Sequence, residues 1–456
     1  MPPRRSARVA ALAQQLCLFT ALPLPLTQRI LMLLLVDVRA RACCVCRAWR
    51  DALQDPLCWM DLDLARLERP LRGIVQQPYL TLAAAAAKAR CQLRTLRVPD
   101  VSRRALVDVL TANAGSLRKL RLLRLVVDGI FGASERSPSL EAVMAAAPLL
   151  QAVEAEIVAC EGPVAPALMR AVPPFSQLTV HKLYVHFQWN EGTPLAGMER
   201  VGPFVAALAD AALQSALSHV CFQGVNTAAP VLMDAIADAV LARRLPSLAL
   251  IDGTPPAAAS LARLLRGNAL KTLLFSRYVV HPPPVLPPVF DVPGAALVAT
   301  ALRANTTLTE LSFHNSGLCL DAVVAQTVLG ALVGHPSLRK LTLMCEAGPA
   351  PAERGAALAA IVAANAPALE SLMVSCISAD ACTCHLGDAG LTPLVAALRR
   401  NQHLRRLDIS CNEMSERFAR RQLLPAVRAN TSLRKFVCYG VTSGAEAMNL
   451  VERRAL

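Results

Sequence analysis

Cysteine and histidine offer the most reactive side chains in this sequence. Cys376 and the run Cys382-x-Cys384-His385 bring three thiols and an imidazole into ten residues, a donor set that suits zinc. The Cys-x-Cys-His spacing is tighter than that of common structural zinc sites, so an ordinary reduced loop is expected and no metal ligand is assigned. Cys43-Cys44-x-Cys46 falls in helical sequence, where small buried side chains account for it. The chain has no Gly-x-x-x-x-Gly-Lys-Ser/Thr loop, no His-Glu-x-x-His and no Gly-x-Ser-x-Gly elbow. No catalytic residue, no cofactor and no enzymatic activity are therefore expected. The 15 cysteines are odd in number, and most stand singly in apolar surroundings, as at Cys160, Cys221, Cys345 and Cys438. Reduced thiols fit that pattern, and the expected compartment is cytoplasm or nucleus.

The remaining chemistry is recognition, and it depends on a repeated element. The phrase Leu-x-x-Leu-x-Leu recurs with conservative replacements, beginning at Leu93, Leu117, Leu217, Leu270, Leu308, Leu338, Leu369, Leu404 and Leu433. Weaker copies lie near Leu150, Val180 and Leu245. The last four intervals are 30, 31, 35 and 29 residues, a period that means stacked units. Alternation within Leu-x-Leu predicts a short strand whose leucines point inward and whose intervening residues face outward. Between the strands, Gly355–Asn365 and Gly390–Leu398 place Ala and Leu at helical spacing. Turn phrases then follow at Asn305, Asn365 and Asn430, where Asn is expected to take a left-handed cap conformation.

The outward strand positions are the expected target-binding residues. Lys182, Tyr184, His186, His314, Arg406, Asp408 and Tyr439 lead, and Lys119, Arg121, Thr272, Glu310, Ser312, Lys340, Thr342, Met344 and Lys435 share their phase. Aromatic and Arg side chains on an open sheet are typical anchors for a protein partner. The run from His281 to Pro288, with its Pro-x-x-Pro, reads as a stiff rim loop.

From Leu93 onward the chain resembles a leucine-rich repeat array of the ribonuclease-inhibitor-like type, with strands alternating with full helices in repeats of about 28 or 29 residues. The match is strongest from Leu270 to the end and irregular from about Pro148 to Leu250. The consensus Asn after the strand is clear at Asn412, with Ser316 in its place in one repeat. That resemblance implies a horseshoe with a parallel sheet on its concave side and helices on its convex side.

Nearer the N-terminus, Leu26, Ile30, Leu33 and Leu34 recur at helical spacing, Asp37 is positioned to cap the next helix, and Asp55-Pro56 opens another. Three short helices in this span form a bundle too thin to be comfortable alone. Leu22-Pro23, Ile30-Leu31, Asp37, Val45-Cys46, Trp49-Arg50, Asp55-Pro56 and Trp59 follow the order and separations of an F-box, which this segment resembles. Pro25 stands where the family usually has an acidic residue and Thr27 where it has an aliphatic one. The family docks onto a Skp-type adaptor linked to a cullin and the ubiquitin machinery. By that resemblance Leu22, Pro23, Ile30, Leu31 and Val45 are the expected Skp-binding positions, and Trp49 and Trp59 form the core of the bundle.

The expected fold class is thus α/β, an F-box-like helical bundle followed by a leucine-rich repeat horseshoe. Its divisions are an N-terminal extension at 1–20, the F-box-like domain at 21–66, linker or capping helices at 67–92 and the repeats at 93–456. Composition agrees, since 54% of residues are hydrophobic yet only 4% aromatic, as suits many small strand and helix contacts. No uninterrupted apolar stretch is long enough to span a bilayer, and no membrane association is expected. Arg4, Arg5 and Arg8 precede an apolar run, but Gln14-Gln15 interrupts it, so no cleavable leader is expected. The net charge of +14 lacks any block of five or six basic residues; Arg399-Arg400 and Arg405-Arg406 are among the densest groups. Nucleic acid is accordingly not expected as a partner. The functional expectation is the substrate-recognition subunit of an SCF-type ubiquitin ligase, with a Skp-type adaptor and cullin complex at one end and an unidentified target protein on the repeats. The alternatives are a non-catalytic scaffold and a regulator of a small GTPase.

Overall fold

Short leucine-alternating segments become strands here because each can bury one face only by lying against its neighbours in register. The computed structural model describes residues 23–32, 42, 47–63, 86–87, 89–90, 92–98, 103–127, 143, 145–150, 152–159, 179–187, 195–210, 217–251, 254–277, 288–344, 350–375 and 385–455. The fold is α/β with parallel strand pairing, and the chain divides into two compact units, one of residues 1–183 with 214–216 and one of 184–213 with 217–456.

In the first unit, α1 (Leu24–Met32) and α2 (Arg47–Ala52) precede a 3-10 turn (Pro56–Trp59). Asp55 caps that turn, its side chain accepting the Leu57 amide, with Pro56 at the first position as the sequence suggests. Pro25 fits in the first turn of α1, where a missing amide hydrogen costs nothing, and Thr27 is buried and donates its hydroxyl to the Pro23 carbonyl. Trp59 is buried with its indole donating to the Leu53 carbonyl at 2.7 Å, whereas Trp49 is half-buried. Next come β1 (Asp61–Asp63), β2 (Thr95–Val98), α3 (Arg103–Ala112), β3 (Lys119–Val127) and β4 (Ala152–Ala159), the four strands pairing in parallel and in sequence order. Among the described residues the first strand is thus at Asp61, inside the segment assigned to the F-box-like domain and ahead of Leu93. Asp61 pairs with Thr95, and the Met60 carbonyl accepts the amides of Arg94 and Thr95. The strand β5 (Thr179–His186) begins in this unit and ends in the other. Asp37 and the cysteines at 43, 44 and 46 lie outside the described residues.

The second unit alternates strand and helix. After α4 (Met198–Ala209) come β6 (His219–Gln223), α5 (Pro230–Arg243), β7 (Ser247–Ile251), α6 (Ala258–Arg266), β8 (Thr272–Ser276) and α7 (Val292–Ala304). The series continues with β9 (Glu310–His314), α8 (Ala322–Gly330), β10 (Lys340–Met344), α9 (Pro351–Ala363), β11 (Ser371–Ser375) and α10 (Gly387–Leu398). It ends on β12 (Arg406–Asp408), α11 (Glu416–Phe418), a π-turn (Ala419–Leu423), α12 (Leu424–Ala429), β13 (Lys435–Val437) and α13 (Thr442–Ala455). The weak sequence copy near Leu245 is thus a true strand.

One buried row runs through Val220, Leu248, Leu273, Leu311, Leu341, Leu372, Leu407 and Phe436, each in register with the next. A second runs through Phe222, Leu250, Phe275, Phe313, Leu343 and Val374, with the Phe275 and Phe313 rings stacked at 5.4 Å. Burying each such side chain contributes about 1.5–3 kcal/mol, so the two rows supply much of the drive to stack. Asp291 and Asp321 cap α7 and α8, accepting the amides of Gly294 and of Val323 and Val324.

The turns at helix ends use Asn in two ways. Asn365 is left-handed at φ 50°, as expected, but Asn305 and Asn430 are extended at φ −78° and −79°. Those two are buried, and their side chains bridge the turn. Asn305 Oδ1 accepts the amides of Thr307 and Leu308 while Nδ2 donates to the Leu265 carbonyl, at the end of the preceding helix α6. The same pattern recurs at Asn401 and Asn430. After a strand, Asn412 ties units together by donating to the Val374 carbonyl at 2.7 Å and accepting the Leu386 amide. Ser316, its expected stand-in, is buried and accepts the Leu318 amide. Among the described residues no helix is long and apolar enough to cross a membrane.

Candidate functional site

The outward face of the second unit's sheet has three rows, fixed by the same register as the buried ones. The row at the strand starts includes His219, Ser247, Thr272, Glu310, Lys340, Ser371, Arg406 and Lys435. The central row includes Cys221, Ala249, Leu274, Ser312, Thr342, Met373 and Asp408. The third includes Ser276, His314, Met344 and Ser375. Polar outer rows thus flank a centre of small and apolar residues. Thr342, expected to face a partner, is buried at 3%, as are Cys221 and Ala249 at 1% each. These side chains are too short to rise above the rows on either side.

The expected target-binding residues are distributed over this framework. Arg406 and Asp408 lie two apart on β12, hence on one face, and both are half-buried. Arg406 pairs in register with Lys435 of β13. His314 is half-buried, and burial together with the positive charge of Lys340 holds its imidazole below the usual histidine range, so it is neutral at pH 7. Lys340 itself pairs with Glu310 across the strands at 3.3 Å. Tyr184 packs its ring 5.2 Å from that of His219, whose Nδ1 lies 2.7 Å from the Ser247 hydroxyl. Tyr439 is 62% exposed. Lys182 belongs to the first unit and is exposed, and the side chain of His186 lies outside the described residues.

Metal chemistry finds no support in the described residues: no group of three or more His, Cys, Asp or Glu side chains converges. His385 is held by the Cys411 carbonyl, 2.9 Å from Nδ1, and by Glu413, 3.2 Å from Nε2. Cys376, Cys382, Cys384 and nearly all of the proline run lie outside the described residues. Cys221 and Cys438 are buried thiols, as expected.

A second surface lies on the N-terminal helices. Of the expected Skp-binding positions, Leu22 and Val45 lie outside the described residues, Pro23 is exposed and Ile30 is half-buried. Leu31 is buried at 2%, so it packs the bundle and presents nothing to a partner. Sequence reasoning missed the apolar residues that do face outward, Leu24 at 55%, Leu26 at 45%, Met32 at 38% and Leu57 at 53% exposed. Helical spacing alone cannot say which side of so short a helix its neighbours cover. The α1 helix is fixed to the 3-10 turn by a hydrogen bond from Gln28 Nε2 to Asp55 Oδ2 at 2.9 Å.

No protein-family model matches this chain, and no curated protein matches it in sequence. Its class rests on architecture: α/β, with parallel strands and helices in repeating alternation.

Proposed function

We propose that this chain is the substrate-recognition subunit of an SCF-type ubiquitin ligase, in which the N-terminal helices dock a Skp-type adaptor and a leucine-rich repeat array holds a target protein. The observation that carries this reading is the set of exposed apolar side chains Leu24, Leu26, Met32 and Leu57, on the helices whose Leu-Pro, Trp-Arg and Asp-Pro-x-x-Trp residues resemble an F-box. Exposed apolar side chains on a small bundle suit an interaction surface. The repeats would contribute the three-row face, where Arg406, Asp408 and His314 present polar groups around a small-residue floor, with Tyr439 exposed on the stretch after β13. Catalysis would be proximity alone, the target being presented to a ubiquitin-charged enzyme held elsewhere.

The test is co-expression with a Skp-type protein. A stable complex is expected, and Leu24→Asp with Leu57→Asp should weaken it at least tenfold, since covering one Leu contributes about 1.5–3 kcal/mol. A chain that stays alone beside excess Skp-type protein overturns the reading. A plain scaffold is the second reading, favoured by the pairing of β1 with β2, which joins the helical segment directly to the sheet as a cap would be. Under that reading Leu22→Asp with Pro23→Ala impairs target binding and folding together; under the ligase reading only Skp binding is lost.

A further inference from the structure

The net charge is not spread evenly. Residues 399–456 hold twelve Arg or Lys against five Asp or Glu, a surplus of seven that is half of the +14 of the whole chain. Part of this surplus gathers at one place. Arg406 opens β12 and Lys435 opens β13, each directly preceded by an Arg, and the Arg405 carbonyl accepts the amides of both Arg434 and Lys435, at 2.7 and 2.9 Å. Arg406 and Lys435 are register partners, so the four cations begin two strands about 4.8 Å apart. Arg405, Arg434 and Lys435 are exposed.

Several basic residues elsewhere in the unit are paired with carboxylates. Lys340 pairs with Glu310, Arg263 with Asp234 and Asp238, Arg420 with Glu416 and Arg428 with Glu446. Among the described residues, none of the four cations at the strand starts has a carboxylate partner. The carboxylate nearest in sequence, Asp408, accepts the Ser410 amide, and Arg406 Nε is shut from solvent with no hydrogen-bond acceptor. Like charges on neighbouring strands repel, and a ligand of opposite charge relieves that repulsion.

The geometry points to this corner as the docking site for a carboxylate-rich peptide segment. Guanidinium forks match carboxylates in paired hydrogen bonds, and Tyr439, exposed past the far end of β13, lies within the reach of an extended peptide as an aromatic anchor. The positive corner is short: on one side it is bounded by Glu370, whose carbonyl accepts the Arg405 amide and whose side chain is exposed, so it suits a short acidic segment and not a long polyanion. This inference rests on the reading that the sheet face binds a protein target; it does not depend on the Skp-type adaptor.

The experiment titrates the full chain, without adaptor, into a labelled twelve-residue peptide rich in Glu and Asp, measured by fluorescence anisotropy against the same peptide with Gln and Asn. Preference for the acidic peptide of at least tenfold is expected, falling steeply with salt. Arg405→Glu with Arg434→Glu should abolish that preference, while Arg303→Glu, on the exposed face of α7, should leave it intact. Equal binding of the two peptides overturns the proposal, as does retention of affinity in the reversed variant with an unchanged circular dichroism spectrum. Tighter binding of a single-stranded oligonucleotide, lost in the same variant, also overturns it and assigns the corner to nucleic acid. Should the reversed variant fail to fold, Arg405→Gln with Arg434→Gln provides the same comparison. Adaptor binding is measured separately, so failure here leaves the ligase reading standing or falling on its own test.

Discussion

Asn430 donates its side-chain amide to the main-chain carbonyl of Asn401 at 2.7 Å, while each of the two closes its own helix-to-strand turn by accepting two amides. Consecutive strand–helix repeats are thereby joined through buried polar groups. Asn401→Ala leaves the amides of His403 and Leu404 without their acceptor and removes the bond to the Val362 carbonyl, which keeps the Asn365 amide. At about 1–3 kcal/mol for a buried polar group left unpaired, a loss of at least about 2 kcal/mol is expected, read from the denaturant midpoint. A change below about 0.5 kcal/mol would show that the ladder contributes nothing to stacking.

His335 takes the ladder position between Asn305 and Asn401. Its Nδ1 accepts the amides of Ser337 and Leu338 at 3.4 and 3.2 Å, as Asn305 Oδ1 does for Thr307 and Leu308. Burial lowers its pKa, opposed in part by the Leu302 carbonyl. The unfolded chain therefore takes up the proton first, and the stability that depends on neutral His335 is complete above about pH 6.5 and declines as the pH falls below it. His314, shifted the same way, adds to this slope. His335→Asn should preserve the turn and flatten stability between pH 7 and 5; an unchanged slope in thermal melts across that range would refute the assignment.

The helices α9 and α10 meet at two glycines. A Cβ on Gly355 would lie 1.9 Å from the Gly390 carbonyl oxygen, and one on Gly390 would lie 2.5 Å from the Pro351 carbonyl. The obstruction is backbone and cannot swing aside, so Gly355→Ala is expected to cost about 3 kcal/mol or more. Gly330, at the end of α8, meets nothing within 4 Å, and Gly330→Ala should be neutral or stabilising by up to about 1 kcal/mol. Paired denaturation curves check the opposite signs.

Cys438 is buried, and desolvation, helped by Asp408 and Cys411, raises its thiol to about 12. Alkylation needs the thiolate, so at pH 8 iodoacetamide should leave Cys438 unmodified in the native chain and label it promptly in denaturant. Mass spectrometry of the peptide carrying Cys438 reads this directly. Rapid native labelling would mean that the final strand and helix open.

The sequence by itself determined the strand–helix alternation, because the period of two in Leu-x-Leu and the spacing of Ala and Leu in the helices are written in consecutive residues. Each phrase from Leu270 onward became a strand at the expected place, and Asp55-Pro56 capped the turn it was expected to cap. Tertiary structure decided what depends on residues far apart in the chain. The strand at Asp61 exists through its pairing with Thr95, 34 residues on, and three residues alone carry no legible pattern. Leu31 is buried while Leu24 and Leu26 are exposed because neighbouring segments choose which side of a nine-residue helix is covered. Thr342 sinks because its short side chain lies between the longer ones of Lys340 and Met344 in the rows on either side. Imidazole became equivalent to carboxamide at position 335 only once the turn had closed around Nδ1. Likewise the short basic pairs at 405 and 434 say little separately; parallel pairing in register sets 29 residues of sequence separation to one strand spacing, and that turns two pairs into one concentrated positive corner.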